Sequence, residues 1–244
     1  MNTSRSPVRF LFADLKTRSS ASEIMDSSDC DLFMLHRTVN HFKYINRYLG
    51  GIRPLLQRTL LSHMESLGKD NYTILDLGAG GCDIPVWLSR TALRQSIRLI
   101  IYCIDNDRRI ASFAAENCRG IEGIDIVVGD VFDVLTEYEA DYLISNHFLH
   151  HLSDENIVRL LKTISTRSKY GFIINDLLRS RVSLFFFFMI CPLFFRKSYA
   201  LMDGLRSITR GFKANELKRF RKAAGVDYTI SYVSPGHICM HSLI

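Results

Sequence analysis

None of the six cysteines forms a Cys-x-x-Cys pair, and none stands with histidine at zinc-ligand spacing. The chain therefore carries no thiol or zinc motif and reads as a reduced, cytosolic protein. Met1–Ser20 has neither an apolar core nor a small-residue cleavage site, so it does not read as a secretory leader. The Phe-rich run Leu184–Phe195 is 12 residues long, contains Pro192, and is bracketed by Arg181, Arg196 and Lys197. A membrane span needs ~20 apolar residues, so this run reads as a buried or interfacial segment. No internal repeat and no low-complexity linker is visible.

What is present is ordinary globular material. The 244 residues are 47% hydrophobic and 23% charged, which excludes disorder, collagen and coiled coil and suffices for a sizeable core. The net charge of +6 is local: residues 179–222 hold eleven basic side chains against Asp203 and Glu216. Such a segment suits an anionic partner, or is a solvated helical face.

Residues 21–66 have helical periodicity, with Leu32, Leu35, Val39, Phe42, Ile45 and Leu49 followed by Leu55, Leu56, Leu60, Leu61 and Met64. The spacing predicts two or three helices, broken near Gly50-Gly51 and Pro54. Beyond Lys69-Asp70-Asn71 short β-branched runs alternate with helical stretches. Strands are expected at 73–77, 99–104, 125–128, 142–145 and 172–175, and helices at 84–93, 107–117 and 153–168. The tail reads as helix 214–224, ended by Gly225, then strands 228–232 and 238–243, with Ser234-Pro235-Gly236 turning between them at one sheet edge. Alternating strands and helices mean a parallel sheet covered on both faces.

The most informative stretch is Ile74-Leu75-Asp76-Leu77-Gly78-Ala79-Gly80-Gly81-Cys82-Asp83-Ile84-Pro85. A strand enters glycines and then a helix, an arrangement that serves a dinucleotide, a phosphate loop or a tight turn. No Gly-Lys-Ser/Thr follows, which removes the P-loop. Asp83 replaces the third glycine of a dinucleotide fingerprint. Asp76, at the strand end, would repel pyrophosphate and suits a cationic, amine-bearing ligand.

This stretch resembles motif I of class I methyltransferases that use S-adenosylmethionine (SAM). The rest of that pattern follows in order: Ile101-Tyr102-Cys103-Ile104-Asp105, then Val128-Gly129-Asp130-Val131, then Asp141 to Leu152 with the run Asn146-His147-Phe148-Leu149-His150-His151. The resemblance covers residues 72–176 and implies a doubly wound, mostly parallel seven-stranded α/β sheet. It implies that SAM meets Asp76, Gly78, Ala79, Gly80 and Asp83 in the first loop. Asp105, beside Asn106, would accept the ribose hydroxyls, which two donors and one carboxylate permit. Asp130, beside Val131, would meet the adenine amino group, and Asn146 and His147 would face SAM and acceptor. Asp105 and Asp130 also read as a helix cap and a turn residue.

Methyl transfer mainly needs proximity and alignment, but a phenolic acceptor must also lose a proton. His150 or His147 is the candidate base, with His151 the more structural of the three; packing or capping is the competing role for each. Asp176 is placed to orient a histidine or to contact the acceptor, and Arg179 to contact the acceptor. No metal cluster is visible. The sequence lacks the Pro-Pro-aromatic motif of amino-methylating nucleic-acid enzymes and a nucleophilic Cys near the fourth strand, which disfavours nucleic acid.

The expected organisation is an N-terminal helical cap over 1–70 and a SAM-binding domain over 71–244, with a lid insertion at about 178–212. Phe185–Phe188, Met189, Phe194 and Phe195 would make an apolar wall, with Phe187 and Met189 toward the acceptor, or the run is an ordinary buried helix. The stretch from Glu23 to Tyr48 is similar to the helical leader of bacterial quinol- and polyketide-type methyltransferases. The expected activity is O-methylation of a hydrophobic phenolic or enolic small molecule, by a cytoplasmic protein whose basic residues rest on a membrane surface or an acyl-carrier protein. The alternatives are C-methylation of a quinol, an RNA or protein methyltransferase using the basic segment, and a SAM-binding protein without turnover.

Overall fold

The computed structural model describes residues 6–234 and 236–244; the expected turn residue Pro235 and residues 1–5 of the expected N-terminal cap lie outside the described residues. A 3-10 helix, Pro7–Phe12, precedes α1 (Leu32–Tyr48), α2 (Ile52–Leu56), a π-helical turn (Gln57–Leu61) and α3 (Ser62–Leu67). Then follow β1 (Asn71–Leu77), α4 (Asp83–Leu93), β2 (Arg98–Asp105), α5 (Arg108–Asn117), β3 (Ile124–Val128), α6 (Val131–Glu137), β4 (Tyr142–Asn146), α7 (Asp154–Arg167) and β5 (Gly171–Leu177). The chain closes with α8 (Arg181–Phe194), α9 (Ala200–Arg210), α10 (Ala214–Ala224), β6 (Thr229–Ser234) and β7 (His237–Leu243).

The strands form one seven-stranded sheet in the order β3-β2-β1-β4-β5-β7-β6. β1 to β5 are parallel, and β7 runs antiparallel to both β5 and β6. The expected doubly wound sheet and antiparallel edge pair are thus observed. Side-chain alternation divides each central strand between two cores. Tyr72, Ile74, Tyr142, Ile144 and Ile173 pack under α2 to α4. Leu75, Leu77, Leu143, Phe172 and Ile174 pack under α6, α7 and α10.

Local chemistry fixes the helix ends. The Ser153 hydroxyl accepts from Asn156 N at 3.2 Å, with Asp154 and Glu155 in the first turn of α7, so cap and dipole both favour that start. Gly225, at φ +66°, ends α10. Pro54 does not break a helix: it lies in the first turn of α2, where N–H groups have no intrahelical acceptor. Residues 21–31 are turns rather than helix, because side chains capture their backbone. Ser27 accepts from Asp29 N, and Asp203 accepts from Ile24 N and Met25 N. The short α6 was not expected; its start is the Asp130 cap, whose carboxylate accepts from Phe132 N at 2.8 Å.

The insertion between β5 and α10 forms α8 and α9, which pack with the 3-10 helix around Phe10, Leu15, Leu184, Leu205 and Ile208. N-terminal segment and insertion thus cover the carboxyl ends of the parallel strands together.

Candidate active site

A cavity of about 950 Å³ opens at those carboxyl ends, the position where parallel α/β sheets bind ligands and the top of the usual size range for such sites. Its floor is the loop after β1. Gly78 and Gly80 have φ +72° and +54°, and a Cβ on Gly78 would meet Phe148 at 2.6 Å, so these positions require glycine. Gly78 N and Ala79 N donate to Ile104 O. Asp105 holds the loop from the side, accepting from Gly80 N and from Asp107 N at 3.0 Å each. All the residues expected to meet the cofactor line the cavity: the loop residues with Asp76 and Asp83, Asp105 and Asn106 after β2, Asp130 and Val131 after β3, Asn146 and His147 after β4.

Three acids crowd this floor. Burial pushes the Asp76 carboxyl up to about 8, helped by the nearby charges of Asp83 and Asp105. Burial also raises Asp83 and Asp105. Asp83 is reached through a chain of amides: Asn175 donates to Asn146, Asn146 to Asn46, and Asn46 to Asp83 Oδ1 at 3.1 Å. Its other oxygen is buried without a hydrogen-bond partner. The Arg53 guanidinium stands 3.8 Å from that oxygen, and a desolvated acid cluster with this one loose cationic partner is matched by a further cation with N–H donors.

The histidines divide into two environments. His150 is buried between carboxylates, with Nδ1 2.7 Å from Asp176 Oδ1 and Nε2 3.3 Å from Glu23 Oε1. Asp176 also accepts from His150 N and Leu177 N, and Glu23 accepts from the Ser207 hydroxyl at 2.5 Å. Burial would depress the imidazole, but the two carboxylates outweigh it and lift His150 to about 9. Protonated at neutral pH, His150 is not a base; this corrects the expectation. Asp176 lies behind His150 and off the cavity, so it orients the histidine and does not touch the acceptor.

His147 lies on the cavity, with its backbone at φ +58°. Its Nε2 is 2.9 Å from Nε2 of His237 on β7, which contacts the Ser234 hydroxyl through Nδ1. Burial lowers His147 to about 3 and His237 to about 4, and the neighbouring imidazole adds to the fall at His147. The pair is neutral. Nothing in the spacing of His237 announced it. His151 lines the cavity too, 3.7 Å from both Glu23 and Asp26. Glu23, His150 and His151 each offer a metal-ligand atom within 4.8 Å of the others, but a metal there would have to displace the His150 proton.

Two further expectations are corrected. Arg179 does not face the acceptor: it is buried off the cavity, donating to Glu216 at 2.6 Å, to Leu15 O at 3.2 Å and to Gly211 O. It pins the N-terminal segment to the insertion. Met189 points outward and is 52% exposed; of the residues expected to wall the acceptor, Phe186, Phe187 and Phe195 line the cavity and Phe185, Phe188, Met189 and Phe194 do not, while Val182 and Ile190 of α8 and Phe42 and Ile45 of α1 join the lining. The basic segment is also partly spent within the molecule, since Arg206 pairs with Asp203 and Arg210 and Arg181 donate to backbone carbonyls. Among the described residues no helix is long and apolar enough to cross a membrane.

Strand order, glycine loop and strand-end acids together define the class I, SAM-dependent methyltransferase fold. Within it, residues 75–171 match the family model described as a methyltransferase domain. No curated protein matches the chain by sequence. Among solved structures, it is similar to the plantazolicin methyltransferase BpumL in complex with a monoazolic desmethylPZN analogue and SAH, at 14% identity over 85% of this chain and 90% of that one, TM-score 0.61. It is similar to magnesium protoporphyrin IX methyltransferase ChlM from Synechocystis PCC 6803 with bound SAM, at 10% identity over 89% and 99%, TM-score 0.53. It spans 57% of a chain from Nostoc punctiforme PCC 73102 described as an O-methyltransferase, covering 77% of itself at 16% identity, TM-score 0.52. At these identities the likeness is one of fold.

Proposed function

We propose that the chain methylates a hydrophobic small molecule at a phenolic or enolic oxygen, with SAM as donor. The observation that carries this reading is the two-ended cavity. One end is the acid cluster on the glycine loop; the other is the apolar wall of α1 and α8; the neutral His147–His237 pair lies on the same surface. The buried Asp76 carboxyl and Asp83, whose second oxygen meets only the Arg53 guanidinium at 3.8 Å, fit the ammonium end of SAM, and Asp105, which lines the cavity, would accept the ribose hydroxyls. Bound SAM supplies a methyl electrophile on a sulfonium. The residues of this chain align the acceptor and take its proton. His147 accepts a hydrogen bond from the acceptor hydroxyl, which fixes the oxygen lone pair. As the oxygen gains the methyl group its O–H becomes strongly acidic, so even a weakly basic histidine, neutral before the reaction, takes the proton, becomes an imidazolium and readily releases the proton to solvent. His150, held by Asp176 and Glu23, keeps the segment after β4 in place.

The test is calorimetric titration with SAH of the wild-type chain and of Asp105→Ala, followed by methyl transfer to a panel of phenols and enols with His147→Ala alongside. Micromolar SAH binding lost in Asp105→Ala is expected, as is a fall in turnover of about 10²-fold or more in His147→Ala. No SAH binding by folded protein overturns the cofactor reading. A product methylated at carbon overturns the oxygen assignment, and unchanged turnover in His147→Ala overturns its role.

A further inference from the structure

The outer face of α8 carries large apolar side chains that nothing among the described residues covers. Val182, Phe185, Phe186, Met189 and Leu193 recur at helical spacing and form one stripe, with Leu193 73% exposed. The 3-10 helix packed beside α8 adds Val8 and Phe12, the latter 80% exposed. A contiguous patch of this kind on a folded chain marks an interaction surface.

Two observations identify its partner. The first is charge. The 3-10 helix, α1 and α8 contain no Asp or Glu. They carry Arg9, Arg37, Lys43, Arg47 and Arg181, and Arg196 and Lys197 follow α8 directly. Arg37 donates to Arg196 O, which ties the basic side of α1 to the end of α8. Exposed Asp14 after the 3-10 helix and Asp31 at the start of α1 are the nearby acids, against seven cations; an apolar stripe framed mainly by cations fits an anionic bilayer, the stripe entering the acyl boundary while the cations meet the headgroups. A second copy of the chain fits poorly, because a two-fold contact would set like-charged rims against each other. The second observation is continuity with the site. Val182 and Phe186 on α8, and Tyr48 and Leu49 at the end of α1, are at once exposed and part of the cavity wall. The apolar end of the cavity therefore has its mouth on this same face.

We propose that the α8 face docks the protein on an anionic lipid surface and that the cavity draws its acceptor from the bilayer through the mouth between α1 and α8. The docking stands on the exposed stripe and its charges alone; the acceptor route rests also on the methyl-transfer reading.

The experiment is co-sedimentation of the full chain with vesicles of phosphatidylcholine and with equimolar phosphatidylcholine and phosphatidylglycerol. It compares the wild type with Phe185→Glu/Leu193→Glu, two residues that are exposed and do not line the cavity. Wild-type protein is expected on the mixed vesicles, with weaker binding to the neutral ones. The double variant is expected to partition about tenfold less or worse, with SAH affinity unchanged, which reports an intact fold and separates loss of docking from failure of the cofactor reading. No wild-type binding to the mixed vesicles overturns the proposal, as does binding that the double variant retains. A lipid-free dimer that the double variant dissociates would assign the face to a second copy. Binding of an acidic carrier protein at the same face without vesicle binding would assign it to a protein partner.

Discussion

Nδ1 of His150 stands 2.7 Å from Oδ1 of Asp176, joining the segment after β4 to the end of β5. Glu23 closes the other side of the imidazole, and its hydrogen bond spans 127 residues of chain. This buried triad joins the N-terminal segment to the sheet, and its charge state sets how firmly.

The triad makes stability depend on pH in a defined direction. His150 is raised from its ordinary 6.5 to about 9, so its contribution is complete below about pH 6.5 and is lost as pH rises through about 9. Asp176 and Glu23 are held below the usual carboxylate range, chiefly by His150 against the opposing effect of burial; their contribution is present above about pH 4.5 and is lost on further acidification. The triad's own contribution to thermal stability should therefore be fullest between about pH 4.5 and 6.5 and decline toward pH 9. In His150→Gln the alkaline decline should flatten. Parallel curves for the two proteins between about pH 6.5 and 9 would remove His150 as the source.

Asp76 gives a second pH signature, this time in binding. With its carboxyl at about 8, it is mostly protonated near pH 7 in the free protein. An ammonium-bearing ligand favours the ionised form, so SAH binding near pH 7 should release close to one proton. Affinity should rise as pH climbs toward about 8. Calorimetry in two buffers of different ionisation enthalpy reads the release, which should vanish in Asp76→Asn. Heats independent of buffer would place the ammonium elsewhere.

Arg179 should behave as a stabilising residue, not a substrate contact. Arg179→Ala leaves Glu216 buried without its 2.6 Å partner, at a cost of about 3–5 kcal/mol. For a chain of this size that lowers the melting temperature by roughly 10 °C. Where the variant is folded, its SAH affinity should match the wild type. A stable Arg179→Ala protein with a raised acceptor KM would restore the acceptor contact.

Much of the sheet was readable because its signals are local. The strands from β1 to β5 announce themselves by short β-branched runs, and the caps at Ser153 and Gly225 by their own side-chain or backbone chemistry. The glycine loop was readable for the same reason: Gly78 and Gly80 are required by positive φ within a few residues of Asp76. What misled the reading lay where tertiary partners override local pattern. Residues 21–31 give up helix because Asp203 takes their N–H groups. Arg179, which from its place after the fifth strand suggested an acceptor contact, finds Glu216 and Leu15 O instead.

The sequence by itself determined the strand–loop–helix units and, with them, which acids stand at the strand ends, since spacing, glycine conformation and capping act over a few residues. Only the tertiary structure decided which histidine is charged and which is neutral. His147 meets His237 across 90 residues of chain and stays neutral; His150, three positions further on, is locked between Asp176 and Glu23 and holds its proton. Protonation follows the electrostatics of neighbours brought together by folding, and contacts at that separation leave no periodic trace in the chain.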